Sequence, residues 1–338
     1  MILLTGATGY LGSQIAQELI ARKMPFRVLV RDAARLRFDP AAANCEVITG
    51  SLTTPEGLNA ALRGVDAVIH TAALVKMWVH GPGRFWQTNV HGLTELLRAS
   101  AAAGVRRVIY TSSFIALGPS ADENAGENLV HRGPYSNEYE QTKAQALAWL
   151  RHEGRDFPVV TLLPGVIYGP GPMTEGNLVG GMIEQYLAGR FPGLLGSGNQ
   201  RWSFAFNKDV VDAHLAALEK GKPGEEYVLA GDNRSLNDLF RVLTELSGVR
   251  HPVLHLPFWF GKMAGATEIF RAKFLSHTPQ LTPGVVNIFK HDWVYSSAKA
   301  EADLGYRVTP LEEGLRNTLG ERAISEKKLE TGNQKLEI

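Results

Sequence analysis

The chain has 338 residues, 44% of them hydrophobic and 20% charged, which suits one large α/β domain with a smaller one appended. Lys+Arg 35 against Asp+Glu 34 leave a formal net charge of +1, so the overall balance offers no argument for nucleic acid or an acidic membrane surface as partner. Cys45 is the only cysteine, which excludes an internal disulfide and a thiolate metal cluster and fits a reducing, cytoplasmic setting.

Met1 leads directly into the apolar run Ile2-Leu3-Leu4, which reads as a first strand rather than a targeting leader. A helix over 10–23, strands over 26–30 and 46–48, a helix over 55–62 and a strand over 67–70 follow. A long helix over 85–103 leads to a strand at 107–111, a Gly/Pro/Asn-rich loop, a helix over 136–151 and a strand at 159–163. This alternation is the signature of a parallel sheet covered by helices on both faces. It ends near Pro164 and gives way to the loops YGPGP and FPGLLGSGN, after which the strand-like YVLA at 227–230 returns to the main sheet. The expected organisation is a main unit over 1–165 with a return segment at about 201–231, an interleaved smaller unit over 166–200 and 232–323, and a polar tail over 324–338. The most apolar late stretch, 254–275, carries Lys262, Glu268, Arg271 and Lys273. That is too much charge for a membrane span, so it reads as an amphipathic or pocket-lining helix.

Gly6, Gly9 and Gly12 are spaced G-x-x-G-x-x-G between the first strand and the first helix. Glycine permits the tight turn there and lets backbone N–H groups approach a pyrophosphate at the positive end of a helix. The second strand ends Val30-Arg31-Asp32. A guanidinium there can grip a ribose 2′-phosphate, so Arg31, helped by Arg35, points to NADP, while Asp32 keeps NAD open through the ribose hydroxyls.

Tyr139 and Lys143 are four residues apart on a predicted helix and share a face. A phenol with a pKa of about 10 is a poor base, and a neighbouring ammonium is expected to bring it toward the working range. Ser113 ends a strand and can bond the oxygen that Tyr139 protonates or deprotonates, with Ser112 as its competitor. A second Tyr-x-x-x-Lys, Tyr295 to Lys299, lies far past the sheet pattern and is read as structural. Asn89 is read as a buried polar contact at the sheet edge, and His70 as a structural histidine in a segment passing beside the cofactor. His251 and His255 straddle Pro252, and no metal site is expected.

TGATGYLG, HTAA, Asn89-Val-His-Gly, YTSSFIALG, Tyr139-x-x-x-Lys143, LLPGVIYGPG and the closing YSSAKAEADLGY with PLEEGL together resemble the extended short-chain dehydrogenase/reductase superfamily, also described as the NAD-dependent epimerase/dehydratase family. The resemblance reaches to about residue 320. Within the superfamily, VRD and TSS are similar to the dihydroflavonol 4-reductase-like branch with its hydroxysteroid-type dehydrogenases. AALVKMW and NEYEQTKA are similar to farnesol-dehydrogenase-like members. The resemblance implies a Rossmann fold, a doubly wound parallel sheet with a smaller, interleaved C-terminal substrate domain. It implies Ser113, Tyr139 and Lys143 as catalytic residues, and cofactor contacts from Gly6, Thr8, Gly9, Tyr10, Leu11, Gly12, Arg31, Ser51, Leu52, Thr71, Ala72, Ala73, Tyr139, Lys143, Pro164 and Val166. It also implies a homodimer through the helices carrying Asn89 and Tyr139. Ser51 stands where related sequences often have Asp, and Phe114-Ile115 replaces the acidic pair of sugar-nucleotide dehydratases, which disfavours dehydration.

Met77, Trp78, Phe114, Tyr135, Trp202, Phe204 and Phe258-Trp259-Phe260 gather where a substrate domain would face the cleft, and are read either as the wall of a pocket for an apolar alcohol or carbonyl compound or as core. Asn177 and Arg201 support a rival reading, a nucleotide-sugar epimerase that retains its NAD, since both can grip a diphosphate. A third reading keeps the dinucleotide fold as a redox sensor or scaffold without turnover.

Overall fold

In the computed structural model the described residues are 1–321 without 77, 82, 175, 275–278 and 280. Met77 and the tail at 324–338 therefore lie outside the described residues. The larger sheet holds β1 (Ile2–Thr5), β2 (Phe26–Val30), β3 (Cys45–Thr49), β4 (Ala67–His70), β5 (Arg107–Thr111), β6 (Val159–Pro164) and β10 (Glu226–Leu229). Its seven strands run in the order β10-β6-β5-β4-β1-β2-β3, all parallel, with the order reversing between β1 and β4. That is the doubly wound Rossmann architecture, in which ligands bind beyond the carboxyl ends of the strands.

Periodicity explains the helices on its faces. In α1 (Tyr10–Ala21) the positions Leu11, Ile15, Ala16 and Leu19 form one buried stripe against β1 and β2. Burying such an aliphatic side chain contributes about 1.5–3 kcal/mol. The helix stops short of residue 23 because Lys23 adopts a left-handed conformation with φ 55°. The amides of Lys23 and Met24 then close on the carbonyls of Ile20 and Leu19. α2 (Pro55–Leu62), α4 (Gly92–Ala102) and α5 (Glu138–His152) pack the opposite face, with α3 (Arg84–Trp86) against α5, and Asn137 begins α5 by accepting the Glu140 amide on its side chain at 2.8 Å. The long helix expected over 85–103 is α3 and α4 joined by a π-helical turn, Gln87–His91, which carries the buried Asn89.

Gly165 marks the switch to a smaller sheet, β7 (Val166–Tyr168), β9 (Arg201–Phe206) and β11 (Asp232–Ser235), in the order β11-β9-β7. The chain rejoins the larger sheet through α7 (Asn207–Lys220) and β10, then leaves it at Gly231. Both switch points need glycine. A Cβ on Gly165 would lie 2.4 Å from the Ser203 carbonyl oxygen, and one on Gly231 would lie 1.6 Å from that of Phe204. A separate core forms around Tyr168, Phe204, Leu239, Leu243 and Leu315, with α6 (Leu178–Leu187), α8 (Leu236–Ser247) and the helix at 311–321. β8 (Leu194–Leu195) pairs with β12 (His255–Leu256), which leads into α9 (Phe258–Phe274), α10 (Pro283–Ile288) and α11 (Ala298–Leu304). Among the described residues no helix is long and apolar enough to cross a membrane.

The second Tyr-x-x-x-Lys is spread through this framework. Tyr295 is buried with its hydroxyl donating to the Gly118 carbonyl, and Lys299 pairs with Glu225 at 2.7 Å.

Gly231→Ala is expected to lower folding stability by on the order of 2 kcal/mol or more, because β9 must move to admit one methyl group. Thermal denaturation beside Gly126→Ala, at a glycine whose Cβ would meet nothing within 4 Å, tests this; equal melting temperatures would refute it.

Candidate active site

The sequence-predicted residues come together at the carboxyl edge of the larger sheet. Gly6 turns the chain out of β1 with φ +82°, and a Cβ there would lie 2.5 Å from Thr71 Oγ1. A Cβ on Gly12 would lie 2.2 Å from the Gly6 carbonyl oxygen, so α1 can close on the turn only without a side chain at that position. The Thr71 hydroxyl donates to the Thr5 carbonyl at 2.9 Å, which holds the run Thr71-Ala72-Ala73 against the glycine turn. Gly9 begins α1 with no side-chain cap, and the first turn of α1 contains no acidic residue. The positive end of that helix is thus left for an external anion, and the cradle fits the pyrophosphate of a dinucleotide. Thr8 is half-buried beside it and Leu11 is buried beneath it. The Tyr10 hydroxyl donates to the Gly169 carbonyl at 2.9 Å and ties α1 to the GPGP loop.

Arg31 is exposed at the end of β2, whereas the Asp32 carboxylate accepts the Ala34 amide at 3.0 Å. Ser51 and Leu52 are half-buried just past β3, and the Ser51 hydroxyl bonds that of Thr53 at 2.9 Å. Pro164 ends β6 and half-buried Val166 begins β7, so both sit at the switch between sheets.

Ser113 and Tyr139 meet across the cleft between β5 and α5. Burial pushes the Tyr139 phenol up to about 12, and a hydrogen bond from the Ser113 side chain acts in the opposite direction. The Ser112 hydroxyl is buried without a hydrogen-bond partner among the described residues, whereas the Ser113 hydroxyl accepts the Ile115 amide at 3.4 Å. Lys143 is buried, donates to the Thr111 carbonyl at 3.1 Å and lies 5.2 Å from the centre of the Tyr110 ring. Burial lowers its ammonium to about 7. Burial moves both groups toward their neutral forms.

The surroundings of this set include residues that sequence reasoning did not single out. His214 Nδ1 donates to the Val210 carbonyl at 2.7 Å, so its Nε2 accepts from the Thr111 hydroxyl at 2.7 Å and orients the residue that holds Lys143. Burial lowers His214 to about 4, which keeps it neutral. His131 Nδ1 accepts the Gly133 amide at 3.1 Å and its Nε2 donates to Glu140 at 2.6 Å, while Glu140 also accepts the Ser136 amide at 2.8 Å. Glu140 lies inside the Tyr-x-x-x-Lys motif, a signal that was available; His131 and His214 have none. Asn89 accepts the Leu74 amide at 2.7 Å and donates to Leu74 and Thr142, both at 3.2 Å, joining the loop after β4 to α5. His70 is buried, bonded to Thr5 at 2.7 Å, and lowered to about 3 by burial and then by Lys143.

The substrate candidates divide. Trp78 is half-buried on the loop after β4, edge-on to His80 at 4.4 Å. Tyr135 is half-buried, its ring against His131 at 4.7 Å. Trp202 is half-buried, lies near Phe289 at 5.0 Å, and its buried indole N–H has no partner among the described residues. Phe114 faces inward, edge-on to Trp293 and Tyr295 at 5.6 Å each, and Phe204 is fully buried, so both are core rather than pocket wall. Asn177 is buried and caps α6 by accepting the Gly180 amide at 3.1 Å. Arg201 pairs with Glu123 and donates to the Ala121 carbonyl at 3.3 Å. Asn177 Oδ1 and two N–H groups of Arg201 are thus engaged within the chain.

A dinucleotide cradle and a Tyr–Lys–Ser cluster on one sheet edge define a nicotinamide-dependent enzyme of the extended short-chain dehydrogenase/reductase type. Residues 2–230 match the NAD dependent epimerase/dehydratase family, and the chain belongs to it. It is 33% identical over 260 residues to "Sterol demethylase protein B" of Methylococcus capsulatus, covering 75% of this chain and 77% of that one. It is 28% identical over 325 residues to "3 beta-hydroxysteroid dehydrogenase/Delta 5-->4-isomerase" of Mycobacterium tuberculosis, covering 90% and 85% respectively. The same fold occurs in UDP-glucose 4-epimerase of Thermus thermophilus solved in complex with NAD, at 24% identity and TM-score 0.74, over 94% of this chain and 97% of that one.

Lys143 holds its proton less tightly when folded, at about 7, than at the ordinary 10.5, so the unfolded chain binds more protons between these values and stability rises with pH across that window. Denaturant titrations at about pH 7 and about pH 9 are expected to show a gain on the order of 2–3 kcal/mol that Lys143→Met lacks. The same gain in the variant would assign it to other groups.

Proposed function

We propose that the protein interconverts an alcohol and a carbonyl group on an apolar small molecule, such as an isoprenoid, steroid or flavonoid-like compound, and prefers NADP to NAD. The observation that carries the reaction is that α5 bears both Tyr139 and the buried Lys143, one turn apart, and that Lys143 bonds the Thr111 carbonyl, two residues before Ser113 at the end of β5. In the oxidative direction the Tyr139 phenolate takes the alcohol proton while the Ser113 hydroxyl positions the oxygen; in reverse Tyr139 returns the proton. When bound, the nicotinamide supplies the hydride acceptor or donor, and its oxidised form adds a positive charge that opposes the rise of the Tyr139 phenol. Lys143, held by Thr111, stands ready to bond the nicotinamide ribose. The sterol and hydroxysteroid names of the relatives support an apolar substrate. The epimerase reading draws less support from Asn177 and Arg201, because Asn177 Oδ1 caps α6 and Arg201 pairs with Glu123.

NADP is favoured because Arg31 is exposed without an ion pair among the described residues, while one oxygen of Asp32 is already spent on Ala34. The reading includes a cytoplasmic setting and a homodimer through the outward faces of α4 and α5, where Gln145, Ala148 and Trp149 are only half-buried.

Tyr139→Phe is expected to lower turnover by about a hundredfold to ten-thousandfold while cofactor affinity holds. Absorbance of reduced nicotinamide with a panel of apolar alcohols, alongside cofactor titration, is the check; retained turnover would remove Tyr139 from the mechanism. UDP-sugar conversion without net cofactor reduction would instead establish epimerisation. Arg31→Ala is expected to weaken NADP binding by about tenfold or more and NAD binding far less. Equal losses would end the NADP argument.

A further inference from the structure

α9 is built with its large side chains facing outward. Its packed face is Gly261, Gly265 and Ala272, spaced so that they share one side of the helix. A Cβ on Gly261 would lie 2.6 Å from a Leu195 methyl, and one on Gly265 would lie 2.8 Å from the Thr282 backbone, so the helix is drawn in as far as glycine allows. The opposite side carries Trp259, Met263, Phe270 and Phe274, exposed by 63%, 62%, 63% and 72%. These four fall on one stripe at helical spacing, and Phe260, 46% exposed, borders it. A helix that only supported the fold would be oriented the other way round.

The charges beside the stripe are of one sign. Lys262 and Arg271 are exposed on the helix, and Lys290 lies over the Phe258 ring, 5.5 Å from its centre. Partial desolvation and the neighbouring Lys262 lower the Lys290 ammonium from the ordinary lysine value. The helix has one acidic residue, Glu268, which is half-buried and 3.3 Å from Arg271. The near-neutral total charge of the chain conceals this local concentration.

We infer that this face of α9 seats the protein on a lipid bilayer that carries anionic headgroups. Trp259, Met263, Phe270 and Phe274 enter the interfacial region, and Lys262, Lys290 and Arg271 meet the headgroups at its border. A second copy in an isologous contact would set these cations against each other. The position of α9 gives docking a use. It packs on α10, where a Cβ on Gly284 would lie 2.2 Å from the Ser136 carbonyl oxygen, just ahead of the helix that carries Tyr139. Docking therefore brings the catalytic side of the molecule to the membrane, the phase in which an apolar alcohol concentrates. Docking is read from the face alone; its role in substrate delivery rests on the function proposed above.

The test is flotation of the full chain, without substrate or cofactor, with vesicles of phosphatidylcholine alone and mixed with phosphatidylglycerol. Binding is expected to the mixed vesicles, weaker by about tenfold on phosphatidylcholine alone, and reduced by salt. The triple variant Trp259→Gln/Met263→Gln/Phe270→Gln and the single variant Lys262→Glu are expected to bind at least about tenfold more weakly. Their melting temperatures and NADP affinities should match those of the parent chain. Failure of the parent chain to float, or flotation of the triple variant equal to it, overturns docking. A parent dimer that the triple variant converts to monomer, with no vesicle binding by either, assigns the face to a second copy and also overturns it. Vesicle binding without turnover of any apolar alcohol overturns the delivery role and the proposed substrate class while docking stands. Turnover of a water-soluble alcohol by a chain that does not float leaves the proposed chemistry standing and removes docking.

Discussion

The hydrogen bond from Lys143 to the Thr111 carbonyl joins strand β5 to helix α5, and the candidate site is organised around it. A buried ammonium is expensive to desolvate, and here it receives a backbone carbonyl and the face of the Tyr110 ring rather than a carboxylate. A carboxylate would hold the charge more firmly but would also neutralise it. Thr111 is itself held through its hydroxyl by His214, a histidine kept neutral by burial, so the carbonyl that anchors Lys143 is fixed by a third element, α7. The same desolvation raises the Tyr139 phenol.

The remaining architecture keeps these groups on one edge. Parallel strands present all their carboxyl ends together, and the glycine cradle, the Thr71 run, Ser113 and Val166 occupy successive positions there. Asn89 then stitches the loop after β4 to α5, using a π-helical turn to direct a side chain that regular α-helical geometry would turn elsewhere. The smaller sheet meets the larger at Gly165 and Gly231, where the β9 backbone comes so close that a methyl group has no room. The two sheets are thus coupled by direct backbone contact rather than by a linker.

Much of this was legible because it is local. Strand and helix periods located β1 to β6, α1, α2 and α5 to within about two residues and read α3 and α4 as one helix, and YVLA was read as a strand returning to the main sheet. The glycine turn and the Tyr139–Lys143 interval were readable because chemistry imposes their spacing. Asn177 and Arg201 were not, since a sequence does not say whether a polar side chain will meet a ligand, a helix cap or Glu123. Phe114 had the same ambiguity among aromatic residues: its ring turned inward onto Trp293 and Tyr295, which lie far away in the chain.

The sequence by itself determined the period of each element, the residues able to turn at φ above zero and the order of the motifs, because these depend on each residue and its near neighbours. Only the tertiary structure decided which polar groups remained free, how burial moved Tyr139 and Lys143, and which side of α9 faced solvent. Those outcomes depend on desolvation and partners supplied by distant segments: Ser113 for Tyr139, Thr111 for Lys143, and Leu195 with Thr282 for the glycines of α9.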